Sequence, residues 1–247
     1  MIRKAMVLAA GRGTRMGSLT EEIPKPMLPV DGRPLLEHIV RRLQQAGIGE
    51  ILLVVGYRHE WIEEHFRGAG FSGISCVLQE QVNGTATAVK QGRAFAGAEP
   101  FVLTFGDIIT AAGNYRGIGD TLLRHAAAAV VGVKYVEDPW QGAAVYADEA
   151  GAVSKMIEKP PRGTSGTHWN SAGLYAFAAE IFEEIDHVPK SARGEYEITT
   201  AIEQLLERGR PVRLFDMQGA WRDVGRPEDL ASAAADLTDS GETPLRE

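Results

Sequence analysis

The feature that most constrains this chain is a glycine-rich turn that follows the first apolar run and leads into a basic segment. Residues 6–10 are uniformly apolar and predict a buried parallel strand. Gly11 and Gly13 come directly afterwards, and glycine lets backbone amides approach an anion closely. Arg15 and Lys25 then supply positive charge. This order of strand, glycine turn and cations predicts a cradle for a triphosphate.

Two better-known glycine loops do not match this turn. A P-loop ends in lysine followed by serine or threonine, whereas residues 14–16 here are Thr-Arg-Met. A dinucleotide-binding fingerprint requires glycine at position 16 and an acidic residue after the second strand. In this chain Gly-Tyr-Arg, at 56–58, follows that strand. The pattern therefore argues against a P-loop NTPase and against a nicotinamide-dependent enzyme.

Composition constrains the partners and the compartment. The 247 residues include 26 Lys and Arg against 33 Asp and Glu, for a formal charge of -7. This balance disfavours nucleic acid and anionic membranes as partners, and no apolar run of the sequence is long enough to span a bilayer. The single cysteine, Cys76, cannot form an internal disulfide, which suits a reducing compartment. We expect a cytoplasmic protein.

Apolar and amphipathic segments alternate through the first half of the chain. Such alternation is typical of a largely parallel sheet covered by helices. In the helix predicted at 34–46, the apolar residues share one face, and Arg41 and Arg42 are predicted to face solvent. Strands are predicted near 3–9, at 51–55, near 74–79 and at 101–104, and further helices near 59–67 and from 84 onwards.

After residue 127 the pattern becomes richer in strands. We predict a single domain over 1–237, with a nucleotide-binding half at about 1–127, an acceptor half at 128–237, and a loose tail at 238–247. Strands are predicted at 129–136, 142–147, 153–157, 172–177 and 212–217, and helices at 198–208 and 227–237.

The glycine turn belongs to a longer pattern. Residues 11–15 read Gly-Arg-Gly-Thr-Arg, and residues 24–29 read Pro-Lys-Pro-Met-Leu-Pro. Together they resemble the signature of the sugar 1-phosphate nucleotidylyltransferases, the nucleoside-diphosphate-sugar pyrophosphorylases, and the resemblance covers nearly the whole chain. It implies an α/β fold, a Rossmann-like three-layer αβα sandwich with a mixed, mostly parallel central sheet. It also implies an enzyme that transfers a nucleotidyl group to a sugar 1-phosphate.

The implied reaction needs positioning and charge neutralisation rather than an activated nucleophile. A sugar phosphate oxygen attacks the α-phosphorus of a nucleoside triphosphate and expels pyrophosphate, and that oxygen is already nucleophilic at neutral pH. The resemblance assigns catalytic roles to Arg15, Lys25 and Lys159. The nucleotide-binding residues that it implies are Leu8, Ala9, Ala10, Gly11, Gly13, Thr14, Gln79, Gly84 and Thr85.

Two aspartates are the candidate metal ligands. Asp107 follows the strand predicted at 101–104, at the edge where open α/β sheets bind ligands, and Asp223 lies in a second family motif. Mg²⁺ binds one or two carboxylates and completes its octahedron with water and phosphate, and similar positions hold the metal in the family. We therefore expect Mg²⁺ as the cofactor. The histidines show no paired metal spacing, so zinc is not predicted.

Gln79 is the expected reader of the nucleobase. It lies five positions before Gly84, within a stretch that resembles the second nucleotide motif of the family's uridylyl and thymidylyl members. Its amide can satisfy both the donor and the acceptor edge of uracil or thymine. UTP or dTTP is therefore the favoured donor, with Gln81 as an alternative reader.

The acceptor half carries the expected sugar-binding residues. In the Glu-Lys-Pro motif at 158–160, the resemblance implies that the glutamate binds sugar hydroxyls and that the lysine meets the sugar phosphate. The segment at 193–200 ends in Thr200, where the family usually has aspartate, which leaves the acceptor open. The full set of predicted sugar-binding residues is Gly106, Glu158, Asn170, Gly173 and Arg193.

Glucose 1-phosphate is the default acceptor, and two alternatives stay open. The first is a member that uses GTP with mannose 1-phosphate, or CTP, and Gln79 argues against a guanylyl reader. The second is a catalytically inert regulatory or sugar-nucleotide-binding relative, although the predicted catalytic and metal-binding residues are all present. The expected partners are thus a nucleoside triphosphate and a sugar 1-phosphate, with a homo-oligomer left open.

Overall fold

The computed structural model describes residues 1–68 and 70–239. Within these residues the strands are β1 (Lys4–Ala9), β2 (Pro29–Val30), β3 (Arg33–Pro34), β4 (Glu50–Val55), β5 (Ile74–Leu78), β6 (Phe101–Phe105), β7 (Ile108–Thr110), β8 (Ala129–Tyr135), β9 (Ala143–Ala147), β10 (Val153–Glu158), β11 (Trp169–Phe177), β12 (Val212–Asp216) and β13 (Trp221–Asp223). The helices are α1 (Leu35–Gln45), α2 (His59–Gly68), α3 (Thr85–Lys90), α4 (Arg93–Ala96), α5 (Ala112–Arg124), α6 (Ile181–Ile185), α7 (Ile198–Glu207) and α8 (Pro227–Asp239).

The central sheet runs through both halves of the chain. Among the described residues, nine strands form it in the order β10-β9-β11-β6-β1-β4-β5, with β8 beside β11 and β12 beside β8. β1 pairs in parallel with β4 and β6, whereas β6 pairs antiparallel with β11. The predicted mixed α/β sheet is confirmed, and it contains strands from both the first and the second half of the chain.

Helices cover both faces of this sheet and make three layers. Because successive side chains of a strand point to opposite faces, β1 sends Met6 into one core and Ala5 and Val7 into the other. Apolar residues of α3, α6 and α7 complete the first core, and those of α1, α2 and α5 complete the second. None of the helices in the described ranges has both the length and the apolarity needed to cross a bilayer.

Helix α5 is the largest element that the sequence patterns did not predict. Its glycines weaken the apolar periodicity, but close packing requires two of them. A Cβ on Gly117 would lie 2.6 Å from the Phe215 ring, and one on Gly119 would lie 3.3 Å from the Ile2 side chain. The prediction that Arg42 faces solvent was wrong, because it did not take the unpredicted helix α5 into account. Arg42 is only 2% exposed, because α5 packs against α1.

The C-terminal prediction was partly testable. The closing helix predicted at 227–237 is α8, which extends to Asp239. The loose tail predicted at 238–247 therefore begins inside this helix, and its remainder, 240–247, lies outside the described residues.

Candidate active site

A cavity of about 660 Å³ lies beside the ends of β6 and β10 and receives residues from both halves of the chain. Its wall combines cations, carboxylates and amides with a few aromatic rings, a composition that suits a highly charged, hydroxyl-bearing ligand. The residues that the argument uses are Arg15, Thr85, Phe105, Asp107, Glu158, Lys159, Asn170, Gly173, Tyr175, Arg193, Glu197, Thr199 and Asp223.

The turn after β1 takes its shape from Gly13. This residue has φ 65°, and a Cβ there would lie 2.7 Å from the Cβ of Lys25. Glycine therefore allows the left-handed turn and lets the lysine pack against it. Gly11, in contrast, is exposed, and a Cβ there would have no described heavy atom within 4 Å beyond its own neighbours. The open side of the turn is thus at Gly11, where an anion could approach.

Lys25 and Asp107 form a direct ion pair. The ammonium Nζ lies 2.6 Å from Asp107 Oδ2, and Lys25 as a whole is only 7% exposed. Pro24 and Pro26 flank the lysine in a 3-10 turn, and the chain there runs under the glycine turn. A predicted catalytic cation and a predicted metal ligand therefore meet beside the cavity.

Asp107 and Asp223 are brought together by a small antiparallel ladder between β7 and β13. Asp223 stands opposite Ile108, and the Val224 amide donates to the Asp107 carbonyl at 2.9 Å. The sequence placed Asp223 after a strand, whereas it is the last residue of β13 itself. Its carboxylate faces solvent in the cavity, yet desolvation first, and then the Asp107 charge, raise its pKa to about 6.

Arg15 lies on the Asp223 side of this carboxylate pair. The Arg15 guanidinium and the Asp223 carboxylate both lie beside Gly225, since a Cβ there would be 3.4 Å from Arg15 Nη1 and 3.6 Å from Asp223 Oδ1. The positive charges of Lys25 and Arg15 both lower the pKa of Asp223 and partly offset the two effects that raise it. Two cations therefore face two carboxylates at one end of the cavity.

The predicted nucleotide-binding residues divide into two groups. Thr85 lines the cavity. Gln79 is 3% exposed, and its Nε2 donates to the Gly84 carbonyl at 3.3 Å and to Thr87 Oγ1 at 3.2 Å. The alternative reader, Gln81, is exposed. Those outside the described cavity lining are Leu8, Ala9, Ala10, Gly11, Gly13, Thr14, Gln79 and Gly84.

Gly84 joins the two halves of the chain. It has φ 139°, and a Cβ there would lie 2.2 Å from the Tyr196 carbonyl oxygen. On either side of it, the Tyr196 amide donates to the Asn83 carbonyl, and the Ala86 amide donates to the Tyr196 carbonyl, each at 2.9 Å. The Ile198 amide also donates to Thr85 Oγ1 at 2.9 Å. The sequence analysis missed this junction, although an isolated glycine before a helix was a signal for it.

We expect Gly84→Ala to lower the free energy of unfolding by about 3 kcal/mol, because it adds a collision with Tyr196 to a backbone conformation that only glycine adopts readily. Gly209→Ala is the matched control. Gly209 has φ 69°, and a Cβ there would have no described neighbour within 4 Å, so about 1 kcal/mol of backbone strain is expected. Urea denaturation of both variants measures the difference, and equal losses would contradict the junction.

On the acceptor side, Arg193 is surrounded by carboxylates. Its guanidinium lies 3.5 Å from Glu158 Oε1, 2.7 Å from Glu195 Oε2 and 3.4 Å from Glu197 Oε1. Thr199 Oγ1 donates to Glu158 Oε2 at 3.3 Å. The sequence analysis singled out Glu158 and Arg193 but missed the other acids and Thr199, which were visible only as a Glu-Tyr-Glu-Ile-Thr run.

Burial raises the pKa of Glu158, and the neighbouring Glu197 carboxylate raises it further, while Arg193, Lys159 and the Thr199 hydroxyl lower it. A carboxyl whose pKa is raised in the folded state destabilises the fold once it ionises. Glu158→Gln should therefore match the wild type in stability below pH 4.5 and become progressively more stable than it as the pH rises above that value. Urea denaturation across this window tests the sign, with the exposed Glu149→Gln as the control.

The other predicted sugar-binding residues sit at special backbone positions. Gly173 has φ 71°, and a Cβ there would lie 2.9 Å from the Phe105 ring. Lys159 has φ 43°, a strained value for a residue with a side chain, and its amide donates to the Gly142 carbonyl at 2.7 Å. Among the described residues, Asn170 Oδ1 is buried without a hydrogen-bond partner. An acceptor hydroxyl in the cavity could supply that partner.

Two predicted positions lie outside the cavity wall. Gly106 is bonded to the first strand, its amide donating to the Leu8 carbonyl at 2.8 Å, and it is not among the described lining residues. Thr200 lies in the first turn of α7, half-buried, and is not among them either. The threonine that replaces the usual aspartate therefore removes no group from the wall of the cavity.

Comparison with known proteins identifies the family. The model of the family described as nucleotidyl transferase matches residues 4–240. The chain belongs to the nucleotidyl transferase family. One relative is UTP--glucose-1-phosphate uridylyltransferase AglF of Haloferax volcanii. It is 35% identical over 240 residues, and the match covers 93% of this chain and 94% of that protein.

Another relative of this nucleotidyl transferase is longer. Bifunctional protein GlmU of Methanocaldococcus jannaschii is 34% identical over 242 residues, covering 98% of this chain and 56% of that protein. The chain thus spans about half the length of the first curated relatives that it matches. Among solved structures, UDP-glucose pyrophosphorylase complexed with UDP-glucose has a TM-score of 0.87 at 24% identity, over 97% of this chain and 99% of that one. That likeness shows a shared fold.

Proposed function

We propose that this nucleotidyl transferase makes a nucleoside-diphosphate sugar from a nucleoside triphosphate and a sugar 1-phosphate. A phosphate oxygen of the sugar attacks the α-phosphorus, a new P–O bond forms, and the bond to the β-phosphate breaks as pyrophosphate leaves. The carrying observation is that cations from both halves converge on one cavity. Arg15 from the first half of the chain and Lys159 from the second both line it, and Lys25 pairs with Asp107 in its wall.

Each cation has a proposed role set by its position. Arg15 and Lys25 lie at the glycine-turn end, where they would neutralise the triphosphate and the departing pyrophosphate. Lys159 and Arg193 lie at the acceptor end, where they would hold the sugar phosphate in line for attack. Glu158 and Asn170 would accept and donate hydrogen bonds to the sugar hydroxyls.

The carboxylate pair fits a divalent cation, and we propose Mg²⁺. Asp107 comes immediately before β7, Asp223 ends its ladder partner β13, and both residues line the same cavity. No group of three or more histidine, cysteine or acidic residues suited to a metal occurs among the residues that the structure describes. Two carboxylates alone are typical of Mg²⁺, which takes its other ligands from water and phosphate. When bound there, the ion would neutralise charge on the triphosphate.

For the substrates, we propose UTP or dTTP with glucose 1-phosphate. AglF, a relative matched over most of its length, is a uridylyltransferase named for UTP and glucose 1-phosphate. Gln79, the reader that the sequence predicts, is buried, and its amide donates to the Gly84 carbonyl and so helps to hold that turn in place. A cytoplasmic location is also proposed, because the lone Cys76 is free in the structure.

Pyrophosphate release tests this proposal. UTP, dTTP, CTP, GTP and ATP would each be combined with glucose, mannose and N-acetylglucosamine 1-phosphates, with and without Mg²⁺. We expect turnover with UTP or dTTP and glucose 1-phosphate that stops when Mg²⁺ is removed. Turnover only with GTP and mannose 1-phosphate, or only with CTP, would select the alternative member of the family. Silence in every combination would favour an inert regulatory or binding relative.

A further inference from the structure

The segment that follows β4 holds the glycine turn at several points from outside the cavity. The Tyr57 amide donates to the Ala10 carbonyl at 3.2 Å, at the start of the turn. The glycine turn and the residues after it extend to Glu21. There, Tyr57 Oη and Arg58 Nη2 donate to the Glu21 carbonyl at 2.8 and 2.9 Å. Between these ends, the Arg12 guanidinium lies over the Tyr57 ring, 5.0 Å from its centroid.

The backbone around Tyr57 is shaped for this contact. A Cβ on Gly56 would lie 2.6 Å from the Ala10 carbonyl oxygen, so only glycine lets the segment come this close to the turn. Arg58 has φ 51°, an uncommon value for a residue with a side chain. Close approach and a strained conformation occur side by side here, which indicates a specified contact rather than a chance one.

The turn itself contains two glycines in the left-handed region and few internal hydrogen bonds that reach its cations. Gly13 and Gly17 have φ 65° and 60°, where glycine has alternatives. Its internal bonds include the Met16 amide to the Gly13 carbonyl at 2.9 Å and the Thr20 hydroxyl to the same oxygen at 3.1 Å. Arg15, which reaches the cavity, lies between these bonds on an exposed stretch. Contacts from outside the turn therefore help to decide where Arg15 and the Gly11 amide lie.

We propose that Tyr57 is a positioning residue for the nucleoside triphosphate. Its ring holds Arg12, its hydroxyl holds the end of the turn at Glu21, and the turn thereby presents the Gly11 amide and Arg15 to the phosphates. Tyr57 is not among the described residues that line the cavity, so it acts through the turn. This inference rests on the proposed function, because it assigns the turn to the triphosphate.

Two variants separate the hydroxyl from the ring. Tyr57→Phe keeps the ring but removes the hydroxyl, which donates to the Glu21 carbonyl and accepts from Arg58 Nε at 3.0 Å, and it should raise KM for the triphosphate about threefold. Tyr57→Leu also removes the cation–π contact and should raise it about tenfold. In both variants KM for the sugar 1-phosphate should stay within about twofold of the wild type, because the contacts described for Tyr57 are with the glycine turn and Arg58 and not with the predicted acceptor residues.

Tyr146→Leu is the matched control. Tyr146 is also half-buried, carries Lys155 5.9 Å from its ring centroid, and accepts a main-chain hydrogen bond from Gly166 at 3.2 Å. It lies outside the described cavity lining. Loss of a tyrosine with these contacts should lower the unfolding midpoint to a similar degree but leave both KM values unchanged.

A second background tests whether the ring acts through Arg12. With Arg12→Leu in place, changing Tyr57 from Phe to Leu should raise KM for the triphosphate less than it does in the wild-type background, because only the contact of the ring with Arg58, 5.6 Å from its centroid, remains to be lost. Equal increases in both KM values, or a lower unfolding midpoint with neither KM changed, would overturn the inference. If the wild type shows no turnover, the Kd of UTP measured by calorimetry takes the place of KM. UTP binding unaffected by Tyr57→Leu, or no binding at all, would likewise overturn it.

Discussion

Asp223→Asn is expected to reduce kcat by about a thousandfold, because it removes one of the two carboxylates proposed to hold the metal ion and so weakens charge neutralisation in the transition state. Asp107→Asn should have a loss of similar size. Asparagine keeps the shape of the side chain, so the antiparallel ladder between β7 and β13 stays intact. Steady-state pyrophosphate release, measured over a range of Mg²⁺ concentrations, gives the effect.

Stability separates this loss from misfolding. Asp107 and Asp223 carry like charges next to each other, and the Asp107 charge already disfavours ionisation of its neighbour. Removing the Asp223 charge should therefore leave the unfolding midpoint equal to or above that of the wild type, whereas Asp107→Asn also leaves the buried Lys25 without its partner and should lower the midpoint. Asp216→Asn is the control, since Asp216 is also the last residue of its strand and is exposed. Near-normal turnover in both Asp107→Asn and Asp223→Asn would rule out the proposed metal site.

Lys25→Met is expected to reduce kcat by about a hundredfold, because a cation held at the glycine turn would no longer neutralise the triphosphate. The same change leaves Asp107 without its partner at 2.6 Å. Since that carboxylate is partly exposed, we expect the free energy of unfolding to fall by only about 2 kcal/mol. Single-turnover measurements at saturating substrate report the chemical step, and urea denaturation reports the stability.

The two effects of Lys25→Met can be separated. Adding Asp107→Asn should recover the lost stability, because the unpaired charge is gone, while activity stays low. Lys134→Met is the control: Lys134 is half-buried and donates to the Met217 carbonyl at 3.0 Å, away from the described cavity lining. A Lys25→Met variant with a lower free energy of unfolding but a near-normal single-turnover rate would show that Lys25 serves the fold rather than the reaction.

Much of the fold could be predicted because its central strands are short, uniformly apolar and bounded by turns. β1, β4 and β6 lie within two residues of their predicted bounds, and the glycine turn follows β1 as expected. Buried parallel strands have no polar face, so their apolar runs are distinct in sequence. Because β6 could be recognised in this way, the sequence also predicted that Asp107 follows it.

The pairing of distant segments could not be predicted. Asp107 and Asp223 were selected as separate motifs, and their contact depends on β7 and β13, each three residues long and too short to show a periodicity. Arg42 was predicted to lie on the surface because the glycines of α5 weaken its apolar periodicity, so the sequence did not predict the helix that covers this arginine. The carboxylates around Arg193 depend on how one loop folds back on itself, which spacing alone does not specify.

The junction at Gly84 sets where this protein could be recombined with a relative. A chimera that exchanged the acceptor half at residue 127 would separate Asn83 and Ala86 from the Tyr196 backbone that they bond. It would also place the carbonyl of another protein's residue where the Tyr196 carbonyl packs closely against Gly84. In a chimera, residues 193–200 and residues 83–86 should therefore come from the same parent protein. A chimera designed in this way could exchange other residues of the predicted acceptor half while keeping the native contact between residues 83–86 and 193–200.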